Sequence, residues 1–181
     1  MINREEKRRF VLENKMSFAQ FREIVLKRRT IRDFKKDEVY SLDILECIEL
    51  GIWAPTGSNL QRLRFSVIID SDLIEKIKLY SPGLPKTTPA ILALYSYEKE
   101  EYKNNFYEEI INYDIGLALQ NICLGLYLKG YGSCIVKSFN QVMLDKLLYK
   151  KNYKLRILLA WGRIKKTPLP PGRKEIKAYL I

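Results

Sequence analysis

The sequence contains no histidine. This absence excludes Ser-His and Cys-His nucleophile pairs, histidine acid–base catalysis and nearly all zinc sites. Cysteine is scarce too: Cys47, Cys123 and Cys134 are the only ones, and no two have Cys-x-x-Cys spacing. Because their number is odd and their sequence neighbours are apolar, we expect buried, reduced thiols rather than disulfides or a metal centre.

Long apolar runs are also missing. No apolar stretch approaches the roughly 20 residues that a membrane-spanning helix needs. The N-terminal stretch MINREEKRRF is charged and is not followed by an apolar segment, so no secretory signal is predicted and the cytoplasm is the expected compartment. The 181 residues, 47% of them hydrophobic, suit a single domain over 1–181, with 1–16 as an extension and 163–181 as a tail packing on a partner subunit.

Positive charge is abundant, with a formal net charge of +11. Nucleic acid is the first partner to consider, since phosphate contacts need Lys and Arg. The charge is spread along the chain, however, without a nucleic-acid-binding motif, and the basic stretches are too short for a membrane-surface helix. We therefore expect no nucleic acid and no membrane partner, while a small anion bound by a few of these residues remains open.

Apolar periodicity and capping signals predict the order of elements. We expect a helix from Ser17 to about Arg28, a helix from Ser41 to before Pro55, strand 64–69, helix 71–80, loop 81–89, strand 90–96, a long helix at about 105–129 ended by Gly130, strand 132–136, a helix from Asn140 to about 149, and strand 154–162. This order predicts an α+β, three-layer domain with a four- or five-stranded mixed sheet.

The apolar residues also predict which helix faces are buried. The long helix is apolar on more than one face, so we expect it to be central. The expected apolar faces are Phe18, Phe21 and Val25 on the first helix, Leu42, Leu45, Ile48 and Ile52 on the second, and Ile111, Ile115, Leu119, Ile122 and Leu126 on the long helix. The apolar ending AYLI would be explained by a terminal strand lying on another subunit's sheet.

Basic residues cluster in KRRTIRDF (27–34), at the end of the first predicted helix. Basic residues there favour the helix dipole, but Arg28, Arg29 and Arg32 around Thr30 exceed that need. Guanidinium groups bind phosphate oxygens bidentately, so the cluster could hold a phosphate. In the tail, Arg173 and Lys174 follow a Pro-Pro-Gly turn, where a solvated charged segment is the simplest interpretation.

Two further stretches combine small and polar residues. GIWAPTGSNLQ (51–61) ends a helix at Pro55 and then presents hydrogen-bonding groups before an apolar strand. GYGSCIVKSF (130–139) is a glycine-rich entry to a strand that ends in Val136, Lys137 and Ser138. Neither a P-loop nor a Rossmann fingerprint is present, since no Lys-Ser/Thr follows Gly130 and no G-x-G-x-x-G opens a helix.

Together these stretches resemble the FMN-dependent nitroreductase family. LKRRTIRDF, ILECIELGIWAPTGSNLQRLRF, YDIGLALQNICLGLYLKGYGSCIVKSF and GRKEI occur in the family's order, from about residue 18 to 177. The resemblance implies the three-layer α-β-α nitroreductase-like fold around the long central helix. It also implies an intertwined homodimer with two FMN sites, both built across the subunit interface.

The resemblance implies roles for individual residues. Arg28, Arg29, Thr30 and Arg32 would hold the FMN phosphate and ribityl chain, joined by Arg173 and Lys174. The partner subunit would contribute Pro55, Thr56, Gly57, Ser58, Asn59 and Gln61, and the flavin ring would be lined by Val136, Lys137 and Ser138. Tyr113, Asp114, Gln120 and Asn121 on the central helix are interpreted as mainly structural. No catalytic side chain and no metal are implied, because the flavin carries the chemistry.

Three departures from the family pattern stand out. Arg62-Leu63 replaces the usual Pro-Trp, and the short segment 97–109 occupies the place of a helical excursion that covers the active site in larger members. Lys137 stands where many members have a neutral or acidic residue. A cation there would favour the anionic reduced flavin and raise its potential.

The resulting functional prediction is a cytoplasmic, homodimeric oxidoreductase. NAD(P)H would reduce bound FMN, and a nitroaromatic, quinone or enone acceptor would then take the electrons in a ping-pong cycle. One alternative keeps the fold but changes the chemistry to a flavin-modifying, dehalogenating or biosynthetic flavoenzyme. A remote alternative is a non-catalytic basic module that binds a polyanion.

Overall fold

An antiparallel sheet lies at the centre of residues 16–175, the part of the chain that this structure, a computed structural model, describes. Its strands are β1 (Leu63–Ile68), β2 (Ala90–Tyr97), β3 (Tyr131–Val136) and β4 (Tyr153–Arg163). The helices are α1 (Phe18–Lys27), α2 (Ser41–Ile52), α3 (Ser71–Leu79), α4 (Asn105–Leu128) and α5 (Gln141–Leu147). Short 3-10 turns cover Gly57–Asn59 and Glu100–Tyr102.

The strand order is β1-β2-β4-β3, which places β1 and β3 at opposite edges of the sheet. Every ladder between neighbouring strands is antiparallel. The sequence predicts a sheet with both parallel and antiparallel pairs. Among the described residues, parallel pairing is limited to one isolated bridge between Thr30 and Ser133. The ending AYLI, which was expected to add a strand, and the extension 1–15 lie outside the described residues.

Helices cover both faces of the sheet, so the predicted three-layer α+β architecture is confirmed. On one face α2 and α4 pack against Leu92, Leu94 and Trp161, and on the other α3 and α5 pack against Ala93 and Leu158. The predicted apolar stripe of α4 is buried throughout: Ile111, Ile115, Leu119, Ile122 and Leu126. Burying each such side chain contributes about 1.5–3 kcal/mol before entropy is counted.

Two capping predictions and the helix stop are confirmed. Ser17 and Gln20 form a reciprocal capping box at the start of α1, and the Asn140 side chain accepts a hydrogen bond from Met143 N at 3.1 Å. Gly130 follows α4 with a φ of 77°, a conformation that favours glycine. The prediction for Ser41 is wrong: it is the first helical residue, and Tyr40 precedes it without a side-chain cap.

The predicted apolar face of α2 is confirmed only at Ile48. Leu42, Leu45 and Ile52 are exposed, whereas the buried residues of α2 are Ile44, Cys47, Ile48 and Gly51. The reason is close packing against α4: a Cβ on Gly51 would lie 2.7 Å from Ile122 Cδ1, and one on Gly125 would lie 3.0 Å from Cys47 Sγ. Because Gly51 and Gly125 allow this close approach, the side of α2 that carries Cys47 and Gly51 faces α4.

Helix α1 has no buried residue in the protomer. Phe18, Phe21 and Val25, its predicted apolar face, are exposed by 79%, 44% and 39%. The three cysteines are free and buried, as expected. Between residues 16 and 175, no helix combines the length and apolar character needed to cross a membrane.

Candidate functional site

The arginine-rich stretch lies along the edge of the sheet beside β3. Ile31 N donates to Ser133 O at 2.9 Å, and Thr30 bridges to the same residue. Gly132 makes this approach possible, since a Cβ there would lie 2.5 Å from Ile31 Cγ1. The segment is therefore fixed against β3 by backbone pairing and by a residue that leaves room for it.

A cavity of about 280 Å³ opens beside these arginines. Its lining includes Lys27, Arg28, Arg29, Tyr127, Ser133 and Thr167. Arg29 donates through Nη1 to the carbonyl oxygens of Leu26 and Arg28, but its buried Nε has no partner among residues 16–175. Within the same residues no ion pair involves Arg28, Arg29 or Arg32. Lys27 pairs with Glu23, so the positive charge of the cavity wall that has no carboxylate partner in residues 16–175 comes from the arginines.

The second predicted segment, Val136 to Ser138, lies at the end of β3. Val136 is buried, while Lys137 and Ser138 are exposed. Lys137 Nζ donates to Arg156 O at 2.7 Å and lies 5.1 Å from the centre of the Phe139 ring. Partial burial, followed by the nearby cations Arg156 and Lys154, lowers the pKa of Lys137.

These two segments therefore belong to one edge of the same protomer. Ser133, which pairs with the arginine segment, precedes Val136 on β3, so the two are separated by roughly 10 Å of extended strand. A cavity of about 380 Å³ adjoins this edge and is lined by Ile135, Lys137 and Ile157 together with Asn112, Gly116 and Gln120 of α4.

The loop from Pro55 to Gln61 has a strained and internally bonded backbone. Ser58, Asn59 and Gln61 have φ values of 50°, 54° and 49°, which are uncommon for residues other than glycine. Gln61 N donates to Thr56 Oγ1 at 3.4 Å, and Gln61 Nε2 donates to Asn59 Oδ1 at 3.0 Å. Strain of this kind is frequent at binding sites.

Asp114 of α4 holds the start of this loop. Its side chain is only 2% exposed, and Oδ1 accepts a hydrogen bond from Gly57 N at 2.9 Å. Burial raises the pKa of Asp114, whereas the bond from Gly57 lowers it. The resemblance implies a mainly structural role for Asp114 but no link with the loop, because the two are far apart along the chain.

The loop leads into β1, at the edge of the sheet opposite β3. Three interstrand spacings separate these edges, which corresponds to about 14 Å. A separate cavity of about 580 Å³ lies beside the loop, lined in part by Thr56, Asn59, Gln61 and Arg64. One protomer therefore brings together the arginine segment and Val136–Ser138, but not the loop.

Arg62, which departs from the family pattern, is buried with 2% exposure. Its Nε donates to Tyr97 O at 3.1 Å and Nη1 to Tyr107 O at 3.3 Å, while Nη2 pairs with Glu98 Oε1 at 3.3 Å. The guanidinium also lies 4.3 Å from the centre of the Tyr102 ring. Arg62 therefore anchors the short segment 97–109 to the sheet, a role that sequence reasoning missed.

Arg156 of β4 continues this network and is also buried. It pairs with Glu98 Oε1 at 3.0 Å and with both carboxylate oxygens of Glu108. The hydrogen bonds from Arg156 lower the pKa of Glu108 to about 2.

The predicted phosphate ligands also include the tail residues Arg173 and Lys174. Both are exposed, and neither takes part in a hydrogen bond or ion pair with residues 16–175. Their predicted contact with a phosphate stays a prediction. No cluster of three or more His, Cys, Asp or Glu residues within the described range could hold a metal ion.

Comparison with known proteins gives three kinds of match. The Nitroreductase family model matches residues 25–110. The protein DrgA from Synechocystis sp. is 25% identical over 183 residues, covering 83% of this chain and 86% of that protein.

Solved structures share the fold at lower identity. A BluB-like flavoprotein from Clostridium difficile superposes with a TM-score of 0.76 and 22% identity over 89% of this chain and 99% of that one. Oxidised iodotyrosine deiodinase bound to FMN and 3-iodo-L-tyrosine gives a TM-score of 0.73 and 21% identity over 88% and 98%. The family match over residues 25–110 and this shared fold confirm the resemblance to the nitroreductase family that the sequence shows.

Proposed function

We propose that the protein is a homodimeric, FMN-dependent oxidoreductase with two flavin sites at the subunit interface. The observation that carries the proposal is the arrangement at the β3 edge, where three arginines without carboxylate partners in residues 16–175 adjoin the strand that ends in Val136–Ser138. A phosphate-bearing planar ligand would match a cationic cavity next to such a strand end.

The cavity beside Arg28 and Arg29 fits the FMN phosphate. That group carries about two negative charges, which guanidinium groups neutralise through charge-assisted hydrogen bonds. The buried, unpartnered Nε of Arg29 supports an acceptor at this place. Thr30 and Arg32 would complete the phosphate and ribityl contacts, and Arg173 and Lys174 would join them from the tail.

The flavin ring would lie against Val136, Lys137 and Ser138. The donor loop, Pro55 to Gln61, would come from the partner subunit, because within one protomer it lies at the opposite edge of the sheet. The exposed apolar face of α1 supports a homodimer, since Phe18, Phe21 and Val25 have no cover in the protomer.

When bound, FMN would accept a hydride from NADH or NADPH and pass electrons to a second substrate in a ping-pong cycle. The chain's own residues bind and orient the cofactor and shape the opening above it. A protein without histidine is suited to this task, because no side-chain acid or nucleophile is required. Nitroaromatics, quinones and enones are the proposed acceptor classes, and the cytoplasm is the proposed compartment.

A related chemistry within the same fold is the second candidate. The short segment 97–109, fixed by Arg62 and Arg156, motivates a flavin-modifying, dehalogenating or biosynthetic reaction, since it leaves little chain to cover the site. Product analysis with reduced flavin and oxygen, beside an acceptor screen under NADH and NADPH, separates the two candidates.

The first experiment is purification and identification of the bound cofactor. The protein should be yellow, mass spectrometry of the released compound should give FMN, and NADH or NADPH should bleach the colour without oxygen. A colourless protein that does not bind added FMN would overturn the proposal. Binding to polyanions that weakens steeply with salt would instead favour the basic-module alternative.

A further inference from the structure

We propose that Asp114 is a positioning residue for the cofactor: from α4 it holds the loop Pro55–Gln61 in the conformation that faces the flavin. The inference rests on the proposed function, because the loop is assigned to the flavin there. Asp114 itself would not touch the cofactor. It would act through the backbone of Gly57.

The first observation is the burial and bonding of the carboxylate. Asp114 is 2% exposed, and its Oδ1 accepts the Gly57 N–H at 2.9 Å. Taking a carboxylate out of water is strongly unfavourable unless hydrogen bonds compensate. An apolar residue would therefore serve better at this position if packing were its only role.

The second observation is that this bond is the only one the side chain makes with residues 16–175. Its Oδ2 is buried and has no hydrogen-bond partner there. Arg62, the cation with an electrostatic effect on Asp114, directs its donors to Tyr97, Tyr107 and Glu98 instead. The bond to Gly57 thus stands alone and is not part of a larger ionic network.

The third observation is that the loop needs external support. Three of its residues have positive φ, and such conformations are unfavourable for residues other than glycine unless their surroundings enforce them. Two residues of α4 contact the loop at Gly57. Asp114 accepts its N–H, and the Ile110 side chain occupies the space that a Cβ on Gly57 would need. At the other end of the loop, Arg62 is fixed to the segment 97–109.

The experiment compares FMN affinity with stability in matched variants. Asp114→Leu removes the acceptor while keeping the number and branching of the side-chain heavy atoms, and Asp114→Asn keeps an oxygen for Gly57 but removes the charge. Asn121→Ala is the control. It also removes a hydrogen bond between an α4 side chain and the backbone of another segment, but here the side chain donates, from Asn121 Nδ2 to Leu50 O at 3.0 Å, and the bond does not involve the loop. FMN dissociation constants are measured by fluorescence titration, and melting temperatures by circular dichroism of the apo-proteins.

Asp114→Leu should weaken FMN binding about tenfold, and Asp114→Asn should stay within about threefold of the parent. Asn121→Ala should lower the melting temperature without changing FMN affinity. Hydrogen exchange at the Gly57 amide should accelerate in Asp114→Leu only. If the leucine variant does not fold, Asp114→Ala is used in its place, because it also removes the acceptor but introduces no larger side chain.

Equal FMN affinity in Asp114→Leu and Asn121→Ala would overturn the inference while leaving the proposed function intact. A loss in Asp114→Asn as large as in Asp114→Leu would also contradict it, because the acceptor oxygen would then be irrelevant. Failure of the parent protein to bind FMN would instead overturn the proposed function.

Discussion

Arg62 and Arg156 share a single acceptor: both guanidinium groups contact Glu98 Oε1, at 3.3 and 3.0 Å. One arginine precedes β1 and the other lies on β4, so this oxygen joins two strands that are not neighbours in the sheet. The segment 97–109 is thereby fixed to the domain from two sides.

Replacing Arg62 should destabilise the fold. Arg62→Met removes donors to two backbone carbonyls and to Glu98, and we expect a loss of about 2 kcal/mol in the free energy of unfolding. Arg64→Met is the matched control, since Arg64 is an exposed arginine on the same stretch and should change stability by less than about 0.5 kcal/mol. Urea unfolding of both variants tests this, and equal stabilities would contradict the anchoring role.

Glu108 should make stability depend on acidity. Its pKa of about 2 in the folded protein lies below the ordinary value, so its contribution is fully present above about pH 4.5 and is lost as the pH falls toward 2. Because Glu108 is partly exposed, we expect an effect on the order of 1 kcal/mol. The free energy of unfolding of Glu108→Gln should therefore vary less between pH 5 and 2 than that of the parent. The exposed Glu109→Gln should follow the parent.

The arginine segment should dominate cofactor affinity. Arg28→Ala removes a charge at the cavity beside β3 and should weaken FMN binding about 10- to 100-fold, as expected for a charge-assisted hydrogen bond. Lys76→Ala, on the exposed surface of α3, should leave affinity unchanged apart from a small salt-dependent effect. Fluorescence titration at two salt concentrations distinguishes the local from the general charge effect.

Lys137 should raise the flavin potential. A cation at the end of β3 favours the anionic reduced cofactor, so Lys137→Ala should lower the midpoint potential by about 30 mV, which for two electrons corresponds to about 1.4 kcal/mol. The surface variant Lys146→Ala provides the control. An unchanged potential in Lys137→Ala would show that the ammonium, which donates to Arg156 O, does not act on the flavin.

The exposed face of α1 should mediate dimerisation. Phe18→Asp places a charge on that face and should give a monomer in analytical ultracentrifugation, with weakened FMN binding. Leu79→Asp is the control, because Leu79 of α3 is exposed to nearly the same degree, 78% against 79%. If the Phe18→Asp variant stays dimeric and retains FMN, the subunit interface lies elsewhere on the protein.

Much of the fold could be predicted because its signals are local. The stripe from Ile111 to Leu126 repeats at helical spacing, Pro55 disfavours helix before it, and Gly130 follows α4 with positive φ. The buried side of α2 could not be predicted in the same way. Its apolar residues surround much of the helix, and the choice depends on how closely Gly51 and Gly125 let α2 and α4 approach.

In the candidate site, too, the local motifs could be predicted and the contacts between distant residues could not. The arginine segment and Val136–Ser138 are recognisable as motifs, and the structure places both at one edge of the sheet. The contacts of Asp114 with Gly57 and of Arg62 with Tyr107 join residues far apart in the chain. A single sequence carries no signal for such pairs, so their roles emerged only from the fold.

The placement of the two halves of the site at opposite sheet edges has a thermodynamic consequence. If each flavin is held by one protomer's arginines and the other's loop, cofactor binding and subunit association are linked, and each must strengthen the other by the same factor. Dilution would then release FMN, and excess FMN would hold the subunits together. The concentration of the protein itself would act as a determinant of how much of it carries cofactor.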